Sequence, residues 1–163
     1  MTNFILIAIS MVIIFGYLIL YSLHCGLPTS ISETYYHTEN KWLFPAVITV
    51  GAVLAWIPLV GITPETYQFL AFFICAAIIF VAASPAFKDE FIGKIHTWAA
   101  IILAVAAIAW ITLVCGIPYI AILGVIVGLF NRKRFVFWLE VGILIDLYLH
   151  LLVLLHICSS AGA

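Results

Sequence analysis

The chain has 163 residues, of which 67% are apolar and 8% charged. Soluble domains carry about 45–50% apolar and about 25% charged residues, so no water-soluble fold of this size hides that much apolar surface, and lipid is the implied solvent. Six basic residues stand against seven acidic ones, a near-balance that argues against nucleic acid as a partner.

The first segment, MTNFILIAISMVIIFGYLIL, lacks the basic leader and small-residue cleavage site of a signal peptide and reads as a retained span. Crossing the hydrocarbon core takes roughly 20 apolar residues as helix, and a backbone in lipid must satisfy its own hydrogen bonds. Six segments meet this pattern: 3–22, 43–61, 66–84, 96–114, 117–130 and 135–157. The fifth has about 14 residues and is expected in a thinned or shielded position. Turn chemistry marks the breaks: Gly61 and Pro64, Ser84-Pro85, Gly116 and Pro118, and Asn131. The predicted fold is an all-α bundle of six transmembrane helices.

All six basic residues fall in alternate loops, Lys41 in the first, Lys88 and Lys94 in the third, and Arg132, Lys133 and Arg134 in the fifth. The positive-inside rule then places the odd loops in the cytoplasm and both termini on the non-cytoplasmic side. AWIPLVGITP (55–64) recurs as AWITLVCGIP (109–118), which raises a duplication of two helical hairpins as parallel repeats, or chance likeness in an apolar chain. Cys25, Cys75, Cys115 and Cys158 have no metal-binding spacing. They read as free thiols, with a Cys115–Cys158 disulfide as the alternative.

The polar stretch LPTSISETYYHTENKW (27–42) interrupts the apolar pattern. Ser30-Ile31-Ser32-Glu33 fits a capping box, which predicts a short helix from about Ile31. Glu33 and His37 are spaced to pair on one helical face, and Tyr35, Tyr36 and Trp42 suit an interfacial belt. The functional alternative is a lipid- or ligand-binding loop using Ser32, Glu33, His37, Tyr35 and Tyr36. In the last span, FWLEVGILIDLYLHLLVLLH, an Asp at the helix centre costs about 3 kcal/mol on insertion. Asp146 and His150 are four apart and share a face. Such a pair either carries chemistry, as catalytic groups or a proton relay, or locks the helix to its neighbours. Glu140 is expected to reach toward Arg134, and His156 to border the outer interface. His24, His37 and His96, with Glu33, Asp89 and Glu90 at the same depth, make a candidate zinc set, or ordinary interface residues. A haem between His24 and His96 is a further geometric option.

The order of Ile31-Ser32-Glu33 after the first span, Gly51 in the second, Ala83-Ser84-Pro85 closing the third and His96 opening the fourth resembles bacterial six-span membrane proteins of unknown function allied to the damage-regulated autophagy modulator (DRAM-like) family. The likeness covers roughly residues 1–130 in layout. It implies a lipid-facing role in a multi-pass protein of a bacterial inner membrane, with Ser32, Glu33 and His96 at the matching positions. That group is generally thought to place the first loop outside, whereas the charge count here places it inside. The last span is also similar to the alkaline ceramidase superfamily of intramembrane zinc hydrolases, which use a serine, an aspartate and three histidines. Here Asp146-x-x-x-His150 stands where that group has a paired HxxxH, and six spans stand where seven are expected.

Three functions follow. The first is binding of membrane lipid or a membrane partner, with homo-oligomers as an option. The second is a zinc-dependent lipid amide or ester hydrolase, with Asp146 or Glu33 as base. The third is a proton-coupled carrier using Asp146, which at this size would have to dimerise.

Overall fold

The structure is a computed structural model, and it describes residues 2–83 and 90–161. Every regular element among these residues is helical. In chain order they are α1 (Thr2–Cys25), the single turn α2 (Thr34–His37), α3 (Leu43–Ile62), α4 (Gln68–Ala83), α5 (Glu90–Trp110), α6 (Tyr119–Phe130) and α7 (Phe135–Ala161). A 3-10 turn at Glu65–Tyr67 leads into α4, and α5 widens into a π-helical turn at Ile111–Cys115. Five of these helical segments are long and apolar enough to cross a membrane; α6, with 12 residues, is the short one.

The helix ends lie where local chemistry puts them. α1 stops as Gly26 takes a φ of 82° and its N–H closes onto the Ser22 carbonyl at 3.0 Å, a left-handed cap that L side chains adopt at a cost. α3 tolerates Pro58 inside it, then ends as the Thr63 hydroxyl returns to the Leu59 carbonyl and Pro64 blocks continuation. α5 starts six residues ahead of the expected 96, because the polar EFIGK stretch continues the helix rather than forming a loop. Ser84, Pro85, Lys88 and Asp89 lie outside the described residues.

Successive long helices pack as neighbours, α1 on α3, α3 on α4, α4 on α5 and α6 on α7, and α7 returns to touch α1, α3 and α5. The tightest pair is α6–α7, and glycine makes it so. A Cβ on Gly124 would sit 2.5 Å from the Trp138 carbonyl oxygen and 3.1 Å from the Gly142 Cα. Ala121, Gly124 and Gly128 form the buried stripe of α6, and small residues let two backbones approach in lipid where large ones cannot. At about 1.5 Å per residue α6 spans roughly 18 Å, short of a hydrocarbon core of about 30 Å. Its glycine face is shielded by α7, while Tyr119, Ile122, Leu123, Ile126 and Phe130 are exposed.

Buried hydroxyls tie the bundle across its layers. Ser10 of α1, fully buried, donates to the Gly51 carbonyl of α3 at 2.6 Å and pairs with the Tyr148 hydroxyl of α7. Trp110 Nε1 of α5 donates to Thr63 Oγ1 at the end of α3, 2.8 Å away. The two copies of the repeated sequence differ in surroundings: Trp110 is fully buried and hydrogen-bonded, whereas Trp56 is half-buried and its Nε1 has no partner among the described residues. All four cysteines are free thiols.

Candidate functional site

The polar stretch after α1 is a strap laid along the start of α7. Alternate residues of the strap meet successive turns of the helix. The Leu27 carbonyl accepts from Arg134 Nε at 3.0 Å, the Thr29 carbonyl from the Phe137 N–H at 3.0 Å, and the Ile31 N–H donates to Glu140 Oε2 at 2.6 Å. The Phe137 N–H is one of the donors a helix start leaves without an internal partner, so the strap caps α7 through its own backbone. Glu140 therefore reaches the strap, not Arg134 as its position in the sequence suggests; the guanidinium is turned outward to Leu27. These bonds also put the first loop and the basic 131–134 turn at the same end of the bundle.

Beyond Ile31 the chain winds into consecutive i→i+3 turns and then α2. The capping box is half formed. Ser30 Oγ accepts the Glu33 N–H at 3.2 Å, but the Glu33 carboxylate turns back one residue further, to the Thr29 N–H, across the bend at Thr29–Ser30. That N–H holds the Glu33 carboxyl below the usual glutamate range, with a smaller contribution from His37. Glu33 Oε1 and His37 Nε2 are 3.5 Å apart on one face, as the spacing predicts. Thr34, fully buried, accepts from Tyr17 Oη at 2.8 Å and donates to the Ile31 carbonyl at 2.7 Å, which pins α2 to α1. Lys41 closes the C-terminal end of α2 on the Tyr35 and Tyr36 carbonyls. Tyr36 and Trp42 are exposed, at the rim.

Below the strap lies a half-open cavity of about 120 Å3 lined by α1, α3, α4, α5 and α7. Its wall is apolar, built from side chains such as Ile14, Phe44, Ile74, Leu103, Ala107 and Leu144. The polar exceptions are Ser32 of the strap and Glu140. A second void of about 40 Å3 shares Ile14, Ile74, Ile78, Leu144 and Leu147 with the first and extends to Trp56 and Tyr148. The two voids thus lie in line along α7 as a greasy shaft, from the carboxyl group at the strap end toward the bundle centre, with Ile14, Ile74, Ile78, Leu144 and Leu147 forming the wall between them. Of the residues proposed for ligand binding, Ser32 reaches this shaft. Glu33 and His37 line a separate, open groove of about 550 Å3 at the surface, beside Lys133 and Arg134. Tyr35 packs edge-on against Phe44 and Tyr36 at the loop.

Asp146 and His150 do share a face: His150 Nδ1 is 3.1 Å from Asp146 Oδ1 and 2.9 Å from the Asp146 carbonyl oxygen. Two acceptors facing Nδ1 assign the ring proton to that nitrogen. Asp146 is 1% exposed, and its Oδ2 accepts the Ala121 N–H at 3.0 Å. Ala121 lies in the first turn of α6, so a carboxylate from the neighbouring helix caps a donor that would otherwise be stranded. Both carboxylate oxygens are occupied, and neither Asp146 nor His150 lines the shaft. This geometry is that of a lock between α6 and α7.

The histidines are not gathered. His24 bonds the Leu20 carbonyl at 2.8 Å on the exposed end of α1, His37 faces Glu33, and His96 lies within α5 hydrogen-bonded to the backbone of Val81. Among the described residues no three His, Cys, Asp or Glu side chains lie close enough together to hold a metal ion. His24, His37 and His96 therefore do not converge into such a group, and Asp89 of the expected set lies outside the described residues. His156 is exposed near the end of α7.

Several residues that organise this region carry no obvious motif. Ser10, Tyr17 and Tyr148 look like ordinary members of apolar spans, and only their partners in space give them a role. Gly124-x-x-x-Gly128, by contrast, is a packing signal legible from spacing alone. No family model, curated protein or solved structure matches the chain.

Proposed function

We propose that this chain is a six-span membrane protein that holds the apolar chain of a membrane-derived amphiphile in the shaft beneath its first loop. The observation that carries the reading is the cavity itself, walled by five helices with apolar side chains and closed at one end by Ser32 and Glu140. A void of on the order of 150 Å3 lined by aliphatic groups stays dry and takes a guest about the size of benzene. The larger of these two voids therefore suits a segment of roughly six carbons by the same comparison. The resemblance of the Ile31-Ser32-Glu33 and His96 pattern to the DRAM-like group, which is linked to lipid handling, agrees with this reading. Hydrolysis has less support, since the histidines it needs are dispersed.

In this arrangement α6 crosses as the short fifth span, the odd loops face the cytoplasm and both termini face outward. The shared end of the first loop and the Arg132–Arg134 turn supports that orientation. Cys25 and Cys158, both exposed, test it in intact cells. A membrane-impermeant maleimide labels Cys158 and spares Cys25 if the orientation is right, and the reverse pattern inverts the topology.

Ligand occupancy is tested by substituting Ala107, which is 1% exposed and lines the cavity. Ala107→Leu places three more carbons in the void. Native mass spectrometry of protein released from its own membranes is expected to find a bound amphiphile on the wild type and little on the variant, at unchanged or higher Tm. Equal adducts on both, or a variant destabilised by about 1–3 kcal/mol as overpacking would give, refute the cavity as a binding site.

A further inference from the structure

We propose that the guest of this shaft is an amphipathic amine, with its ammonium at Glu140 and Ser32 and its apolar chain directed along α7 toward Trp56. The proposal rests on the reading of the shaft as a binding site and names the chemistry of the head it selects.

The strap end of the cavity is built around one carboxylate. Glu140 Oε2 is committed to the Ile31 N–H, and this is the one hydrogen bond the carboxylate makes among the described residues. No Lys, Arg or His side chain among them forms an ion pair with it. Arg134, the nearest basic residue along α7, is turned to the Leu27 carbonyl instead. A carboxyl group set in an apolar wall without a counter-charge either keeps its proton or pairs with a cation; a neutral amine entering the shaft takes that proton and leaves a carboxylate–ammonium pair inside the same low-dielectric space. Ser32, beside it on the cavity wall, is paired to Ser30 Oγ at 3.2 Å and keeps acceptor capacity for a second donor. An ammonium carries three donors and no acceptor, which suits one free carboxylate oxygen and one hydroxyl.

Competing heads fit less well. A carboxylate head meets Glu140 with like charge. A hydroxyl head offers one donor and leaves the charge uncompensated. The predicted order of preference is therefore amine, then alcohol, then carboxylate. Below the head, Ile143, Leu144 and Leu147 on successive turns of α7 give the chain an apolar track.

The test uses the full chain in phosphatidylcholine nanodiscs at neutral pH, with n-octylamine, n-octanol and octanoate as probes and Tm as the readout. Glu140→Gln is the informative variant, because its amide oxygen still accepts the Ile31 N–H and so keeps the strap in place. Half-saturation of the wild type is expected at a tenfold or more lower concentration of octylamine than of octanol, with no response to octanoate. In Glu140→Gln the amine preference disappears while the octanol response stays. Equal responses to octylamine and octanol in the wild type overturn the amine assignment and leave the cavity reading standing. No response to any of the three overturns the cavity reading itself. An amine preference that persists in Glu140→Gln assigns the effect to the bilayer and also overturns the proposal. If Glu140→Gln fails to fold, Ala107→Leu serves as the control: an amine preference that it abolishes belongs to the cavity, and one that it keeps belongs to the bilayer and overturns the proposal.

Discussion

Asp146→Ala separates a structural lock from a reactive centre. In the wild type Asp146 Oδ2 takes the Ala121 N–H at 3.0 Å and Oδ1 faces His150 Nδ1 at 3.1 Å, in a site 1% exposed. The substitution strands a buried backbone donor in the first turn of α6, which costs about 1–3 kcal/mol, and removes one acceptor from the imidazole, worth about 0.5–1.5 kcal/mol. Roughly 2–4 kcal/mol of stability should therefore be lost. Asp146→Asn is the companion: its amide oxygen still accepts from Ala121, but its NH2 faces a ring nitrogen that already carries a proton, so the loss is expected to be about 1–2 kcal/mol. Unfolding in bicelles, followed by tryptophan emission, measures both. Hydrogen exchange at residues 119–122 localises the effect, with the Ala121 amide expected to lose protection in the alanine variant. The reasoning is refuted if Asp146→Ala unfolds within 0.5 kcal/mol of the wild type and the start of α6 exchanges no faster.

Other contacts make sharp expectations under the same assay. Gly124→Ala must part α6 from α7 because its Cβ meets the Trp138 carbonyl at 2.5 Å; a loss of about 1–3 kcal/mol is expected, whereas Gly61→Ala, with nothing within 4 Å, should be neutral or slightly stabilising. Tyr148→Phe and Ser10→Ala should each destabilise by about 0.5–1.5 kcal/mol, and the double variant by less than the sum, since both remove one buried pair. The folded-state pKa of Glu33 lies below its unfolded value, so its contribution is complete above the ordinary glutamate range and fades as pH falls through and below it. The Tm gap between wild type and Glu33→Gln should accordingly be widest near neutrality and close toward acid; a gap independent of pH contradicts the Thr29 contact.

How much was legible beforehand follows from the range over which each signal acts. The helical stretches 43–61 and 3–22 match α3 and α1 to within a few residues, because length, hydropathy and punctuation such as Pro64 are local properties. The pairing of Glu33 with His37, and of Asp146 with His150, likewise follows from helical spacing of four. Glu140 shows the limit. Its neighbours along the chain suggested Arg134, yet its partner is the Ile31 N–H, 109 residues away in sequence. Nor could spacing reveal that Asp146 caps α6, since the partner is a backbone N–H, and every residue but proline has one.

What the amino-acid sequence by itself determined is the helical class, the presence of helices long and apolar enough to cross a membrane, and the approximate ends of most of them. These depend on composition and on interactions within a few residues. Only the tertiary structure decided which polar groups are spent on holding helices together and which face open space. Buried hydroxyls, a carboxylate and the small-residue stripe of α6 find their partners across helices, where sequence distance carries no information. That division leaves Glu140 and Ser32 lining the apolar cavity, while Asp146 bonds the Ala121 N–H of α6 and faces His150.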